Sequence, residues 1–353
     1  MKTLIRILII LLIAAPLSAQ ERVKPRNGDS VYTLLKRYGR YSSAHSKEFI
    51  RLNPRKFGRN TGLLLGVTYV LPPKVLSSKS SASKPKTTAK PTVKPAEKPT
   101  SSGYSRLGKT YNEPLFGKAM ASYKVLSDEL KGAKYYIIGG HGGPDPGAVG
   151  RMGHSELHED EYAYDIALRL ARNLLIRGAD VNIIIQDSQD GIRNSRVLST
   201  SKRETAMGQR IPLNQLQRLK QRCDWVNRIE RQDKPSYSRA LFIHVDSRSK
   251  RQRTDVFFYH AGSRNGINFA QSIQNTFEAK YRQHQPGRGY SGTVTKRDGL
   301  YVLRNTNMPS VLVELGNIQN PFDQNRITLS NNRQALANWM AEAFAADYKR
   351  NKK

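Results

Sequence analysis

The run from Lys74 to Gly103, KVLSSKSSASKPKTTAKPTVKPAEKPTSSG, most limits how this chain can fold. It is dominated by Lys, Pro, Ser and Thr, holds seven lysines and has no aromatic residue. Such a stretch buries too little apolar surface to offset the entropy of ordering it. It reads as a partly extended, cationic tether, and it splits the 353 residues into two units that must each build a core. The expected organisation is residues 1–19 as a leader, 22–73 as a small unit, 74–105 as the tether and 106–353 as a large unit.

The leader has a chemical signature. Lys2 and Arg6 flank and interrupt the apolar run Leu4 to Ala15, and Pro16-Leu17-Ser18-Ala19 precedes the polar Gln20-Glu21-Arg22. This is the layout of a secretory signal cleaved after Ala19. The run falls short of the ~20 apolar residues of a spanning helix. Export places the chain in the periplasm or at the cell wall. The formal charge of +31 demands an anionic partner, and for an exported chain that is an envelope surface or a carboxylate-bearing wall polymer, not nucleic acid. A single cysteine, Cys223, excludes an internal disulfide, and none stands at the cleavage site to carry a lipid. Leu216, Leu219, Cys223 and Val226 share helical spacing, which predicts a buried structural thiol.

In the small unit, Val23 begins a short extended piece and Asn27-Gly28 a turn. Asp29 or Ser30 then caps a helix with Val31, Leu34, Leu35 and Tyr38 on one face. A second amphipathic helix around Phe49, Ile50 and Leu52 ends at Asn53-Pro54, and Leu63 to Pro72 reads as a closing strand. The order is βααβ. Gly28-Asp29-Ser30-Val31, Leu52-Asn53-Pro54 and Val70-Leu71-Pro72 together resemble a LysM module, and the resemblance implies a peptidoglycan-type ligand containing N-acetylglucosamine.

The large unit alternates. Apolar runs at 134–138, 180–185, 240–245, 255–259, 299–303 and 310–315 predict strands, and helical patterns occupy about 160–177, 213–230, 266–282 and 332–348. The fold class is α/β, with a mixed, mostly parallel sheet covered by helices on both faces. The polar span from Asp187 to Arg210 is an insertion long enough to act as a lid or regulatory element.

Three polar residues fall at strand ends: His141 in the glycine-rich GGHGGPDPGAVG, His244 in RALFIHVDS and Glu314 in MPSVLVELGN. Open α/β sheets gather their ligand sites at the carboxyl ends of strands. Two imidazoles and a carboxylate from separate segments, with a position left for water, are what a catalytic zinc takes. Glycines around His141 let backbone and metal approach closely. A further acid is needed near the start of the following helix, where Glu156, Glu159, Asp160 and Glu161 all qualify and His154 and His158 compete.

Four segments resemble, in order, the motifs of a zinc-dependent N-acetylmuramoyl-L-alanine amidase: His141 to Ala148; Glu159 with Ile166-Ala167-Leu168-Arg169-Leu170 in register; His244-Val245-Asp246-Ser247; and Met308 to Gly316 followed by Asn320-Pro321-Phe322-Asp323. The resemblance implies Zn2+ held by His141, Glu159 and His244, with Glu314 as the catalytic carboxylate. It also marks Arg222 and Asn227 on a helix, with Arg222 structural or substrate-orienting. Two departures stand out. Ile138-Gly139-Gly140 replaces the family's Asp-Pro-Gly, so the support of His141 differs, and the spacing to the helix is longer, which leaves Glu156 in reserve at the customary distance. The implied activity is cleavage of the amide joining N-acetylmuramic acid to L-alanine in peptidoglycan. A zinc peptidase acting on the stem peptide and a non-catalytic wall-binding scaffold are the alternatives, and whether an activator partner is needed stays open. The basic stretch Ser247 to Arg253 reads as a solvated loop or a contact for stem-peptide carboxylates.

Overall fold

The computed structural model describes residues 21–26, 29, 31–40, 43–57, 63–73, 105–246, 255–287 and 289–352. The leader, nearly all of the tether and the basic stretch 247–253 lie outside the described residues. The chain divides into two compact units, Met1–Pro91 and Thr92–Lys353.

In the first unit, β1 (Arg22–Val23) pairs antiparallel with β2 (Tyr69–Val70), and α1 (Val31–Arg37) and α2 (Ser43–Leu52) lie between them in sequence. The closing strand is shorter than the apolar run 63–72 suggests, and Leu63 makes only an isolated bridge to Phe57. Leu34, Leu35, Phe49, Tyr69 and Leu71 are buried together, with Phe49 and Tyr69 stacked at 5.5 Å. Asn53 explains its place after α2: its side-chain amide donates to the carbonyls of Phe49 and Val70, each at 2.8 Å, and its oxygen accepts from the Val70 amide at 2.8 Å. One buried side chain thus closes the helix end and locks it to the strand.

The second unit is built on β3 (Ala133–Gly139), β4 (Val149–Met152), β5 (Ser155–His158), α3 (Glu159–Ile176), β6 (Asp180–Ile183), α4 (Gln215–Asp233), β7 (Tyr237–Asp246), β8 (Phe257–His260), α5 (Arg264–His284), β9 (Val294–Lys296), α6 (Tyr301–Arg304), β10 (Ser310–Asn317), α7 (Pro321–Thr328) and α8 (Ser330–Asn351). Six strands form one sheet in the order β9-β8-β10-β7-β3-β6. All neighbours are parallel except β8 against β10. Helices cover both faces, and the strands alternate between them. Tyr135 and Ile137 enter one core with α3, α5 and α8, while Tyr136 and Ile138 enter the other with α4 and α6. That two-sided burial is why these strands read as continuous apolar runs rather than as an alternating pattern.

Three local expectations are corrected. Residues 299–303 are not a strand, because Tyr301–Arg304 winds into a single helical turn that buries Val302 and Leu303. A short apolar run buried in a helix turn carries the same signal as a strand. Residues 149–158 form an antiparallel hairpin, so His154 and His158 are not on a helix. Leu216 is 58% exposed and leaves the helical face that Cys223 and Val226 bury. The Cys223 thiol is pushed up to about 11 by burial, as suits an inert structural residue. No helix among the described residues is long and apolar enough to cross a membrane.

Candidate metal centre

The sheet brings three sequence-predicted residues to one point. β3 and β7 run parallel, so the residues at their carboxyl ends emerge on the same edge. His244 lies within β7, and His141 lies two residues beyond β3. Glu159 opens α3, which starts where the β4–β5 hairpin delivers the chain. Ligand atoms of His141, Glu159 and His244 lie within 4.8 Å of one another. The carboxylate is central: its Oε2 is 3.3 Å from His141 Nε2, and its Oε1 is 3.0 Å from His244 Nδ1. Backbone amides fix that carboxylate, with Ala148 donating to Oε2 at 2.8 Å and Val245 to Oε1 at 2.9 Å.

Glu314 stands opposite His244 in the β7–β10 register, and both line the same two cavities as His141. Glu156 is not brought to the histidines. It lies exposed on β5, where it pairs with Arg151 at 3.0 Å and with His158 at 3.3 Å. The hairpin itself accounts for the long spacing before Glu159.

His141 adopts φ 60°, the left-handed region that a non-glycine residue enters only under constraint. Several groups hold it there. Asp145 Oδ2 lies 2.9 Å from its Nδ1, and Arg218 Nη2 donates to the same oxygen at 2.8 Å. Arg222, almost wholly buried, donates to the His141 carbonyl oxygen. Asn227 bridges to the approach of β10, donating to the Asn305 carbonyl at 2.7 Å and accepting from the Asn307 amide at 2.9 Å. The insertion also takes part: Glu204 Oε2 accepts from the Gly143 amide at 2.8 Å, while Arg169 and Arg333 hold the Arg193 carbonyl at 2.7 and 2.8 Å. No residue of 187–210 is among those lining the two cavities at the cluster, so the insertion buttresses the His141 loop from behind.

The electrostatics are those of a site arranged for a cation. Burial raises the Glu159 carboxyl, but His141 and His244 overcome it and hold the group well below its usual range. Burial lowers His141, yet the hydrogen bonds its ring donates to Asp145 and Glu159 push it up to about 10. His244, more deeply enclosed, is lowered by burial despite Glu159. The residues fit a metal on steric grounds as well. A Cβ at Gly147, φ 68°, would stand 2.6 Å from Glu159 Oε2 and 2.7 Å from His141 Cδ2, and one at Gly140 would stand 2.6 Å from the His244 ring. Both positions are pared back to leave room for the ligand atoms. The sequence reading misses Asp145, Arg218 and Glu204; an aspartate four residues after a loop histidine was the available signal for the first.

Two imidazoles from the strand ends and a carboxylate from the start of α3, with a second carboxylate facing the same cavities, form the donor set from which metal-dependent hydrolases are built. The family model "N-acetylmuramoyl-L-alanine amidase" matches residues 136–346, and the chain belongs to that family. Hydrolysis of the amide between N-acetylmuramic acid and L-alanine of peptidoglycan is the activity of its second unit. The germination-specific N-acetylmuramoyl-L-alanine amidase of Bacillus subtilis (strain 168) is 26% identical over 205 residues, 57% of this chain and 74% of that protein. Among solved structures, Cwp6 from Clostridium difficile is similar with TM-score 0.44 and 21% identity, covering 60% of this chain and 28% of that chain. The CwlD amidase from Clostridioides difficile, solved in complex with the GerS lipoprotein, is similar with TM-score 0.46 and 18% identity, covering 61% of this chain and 98% of that chain.

Proposed function

We propose that this is an exported, zinc-dependent amidase whose His141, Glu159 and His244 hold the metal and whose Glu314 moves the proton. The convergence of those three donors within 4.8 Å is the observation that carries the reading. Zinc so held supplies a Lewis acid for the scissile carbonyl and a water whose pKa falls toward ~7. The remaining work falls to the protein. Glu159, fixed by the Ala148 and Val245 amides, keeps the donor set in one geometry. Asp145 orients His141 through Nδ1, leaving Nε2 toward the cluster. Glu314 takes a proton from the attacking water and returns it to the nitrogen of the leaving L-alanine.

The βααβ order and the Asn53 bridge support a LysM-like module at residues 22–73 that binds peptidoglycan glycan. Residues 1–19 act as the export signal, residues 74–105 link the module to the catalytic unit of residues 106–353, and the +31 charge favours anionic envelope surfaces. Glu314→Ala tests the proton assignment. It should bind zinc with the stoichiometry of the parent chain and lose turnover about 10²–10⁴-fold. Turnover retained within a few-fold would overturn it.

A further inference from the structure

Gln215, His141, His244 and Glu314 line two cavities at once, so the cluster stands where they join. One, about 370 Å3, is polar, with Asp145 and Arg218 in its wall. The other, about 570 Å3, is walled by Leu219, Phe242, Tyr259, Tyr301 and Leu312, with Arg297 beside them. The polar cavity offers the hydrogen-bonding groups that a sugar's hydroxyl, amide and ether oxygens need, and the apolar one suits the peptide half of the substrate, which begins with an alanine methyl.

Arg297 gives that cavity a chemical preference. It follows β9 directly and is exposed, anchored through its amide to the His260 carbonyl at 2.9 Å. Its guanidinium carbon lies 5.2 Å from the centre of the Tyr259 ring, a placement that orients a planar cation while leaving donors for a ligand. The neighbouring Lys296 and Asp298 pair with each other at 3.0 Å, and among the described residues no carboxylate pairs with Arg297. Arg222 also lines this cavity, but it is buried and donates to the His141 carbonyl, which leaves Arg297 as the exposed cation; an apolar chamber at the reacting centre with such a cation fits a peptide that begins with a small apolar residue and carries a carboxylate one residue on. The stem peptide has that form, because its second residue is a glutamate linked through its side chain, which leaves an α-carboxylate that is either free or amidated.

We propose that the apolar cavity holds the stem peptide on the leaving side of the scissile amide and that Arg297 reads the free α-carboxylate of its second residue. This rests on the amidase reading of the same site. The test uses the full chain, the tripeptide L-Ala-γ-D-Glu-L-Lys and its α-amide, followed by titration calorimetry, with the matched muropeptides for turnover. Wild type should favour the free carboxylate about tenfold in Kd and in kcat/KM, as one charge-assisted contact allows. Arg297→Ala should abolish that preference, with the loss falling on KM more than on kcat, and Arg297→Lys should recover part of it. Equal effects on both ligands, or none, would overturn the proposal. If neither muropeptide is cut but tripeptide binding depends on Arg297, the amidase reading fails and the cavity assignment stands; cleavage of both with unchanged KM in Arg297→Ala gives the reverse.

Discussion

His244 is placed by a parallel ladder, paired with Glu314 across β10, whereas His141 is placed by a loop at φ 60° beyond the end of β3. The strand histidine inherits its position from two neighbouring strands and their buried faces. The loop histidine is flanked by two backbone anchors, Gly140 N–H to the Ile243 carbonyl at 2.7 Å and the Gly142–Asp145 bridge, and draws on Asp145, Arg218 and Arg222 for the rest. Ladder hydrogen bonds recur along a strand and survive the loss of one side chain, but a loop held by side chains fails at each of them. The two ligands should therefore differ in how far their sites can be damaged from outside the donor set.

The sharpest way to break the loop side is Gly147→Ala. The added methyl meets Glu159 Oε2 and His141 Cδ2 at 2.6 and 2.7 Å, and the φ of 68° disfavours any Cβ. We expect zinc affinity, measured against a competing chelator, to fall at least about 100-fold, at the upper end of what ligand-supporting positions control. Unchanged affinity would show that the loop yields without cost.

Asp145→Asn probes the same side more gently. It keeps the shape but removes the charge that faces His141 and Arg218, so affinity should fall about 10-fold to 100-fold with the fold intact by circular dichroism. A loss below twofold would mean that the Arg222 contact suffices to hold the imidazole.

Glu156→Ala is the smallest effect and sharpens the comparison from the other direction. Glu156 is exposed on the hairpin and, among the described residues, pairs with Arg151 and His158, so zinc affinity and turnover should stay within about twofold. A large loss of zinc affinity would move the third ligand from Glu159 to Glu156.

The two kinds of support also explain which parts of the site the sequence shows. His141, His244 and Glu314 stand out because strand-end polar residues interrupt long apolar runs, whereas Glu159 is singled out from Glu156, Asp160 and Glu161 only by the resemblance to the family's helix motif. Their supports do not stand out. Arg218 looks like an ordinary solvated residue of a basic helix until α4 lays it against the His141 loop, Arg222 is marked only through the resemblance, and Glu204 reaches Gly143 from far along the chain. The main sheet follows from two-sided burial, which leaves continuous apolar runs in the sequence. The hairpin at 149–158 and the edge strand Val294–Lys296 leave no such run, being short and partly exposed. The turn Tyr301–Arg304 misleads for the opposite reason, since it is apolar enough to pass for a strand.

Mass spectrometry of the products of purified muropeptides, incubated with zinc-loaded chain and with chelator-treated chain, tests the central claim most directly. The account predicts free stem peptide beginning at L-alanine, abolished by the chelator and restored by added zinc. Cuts within the stem peptide, or the same release with the metal removed, would contradict it.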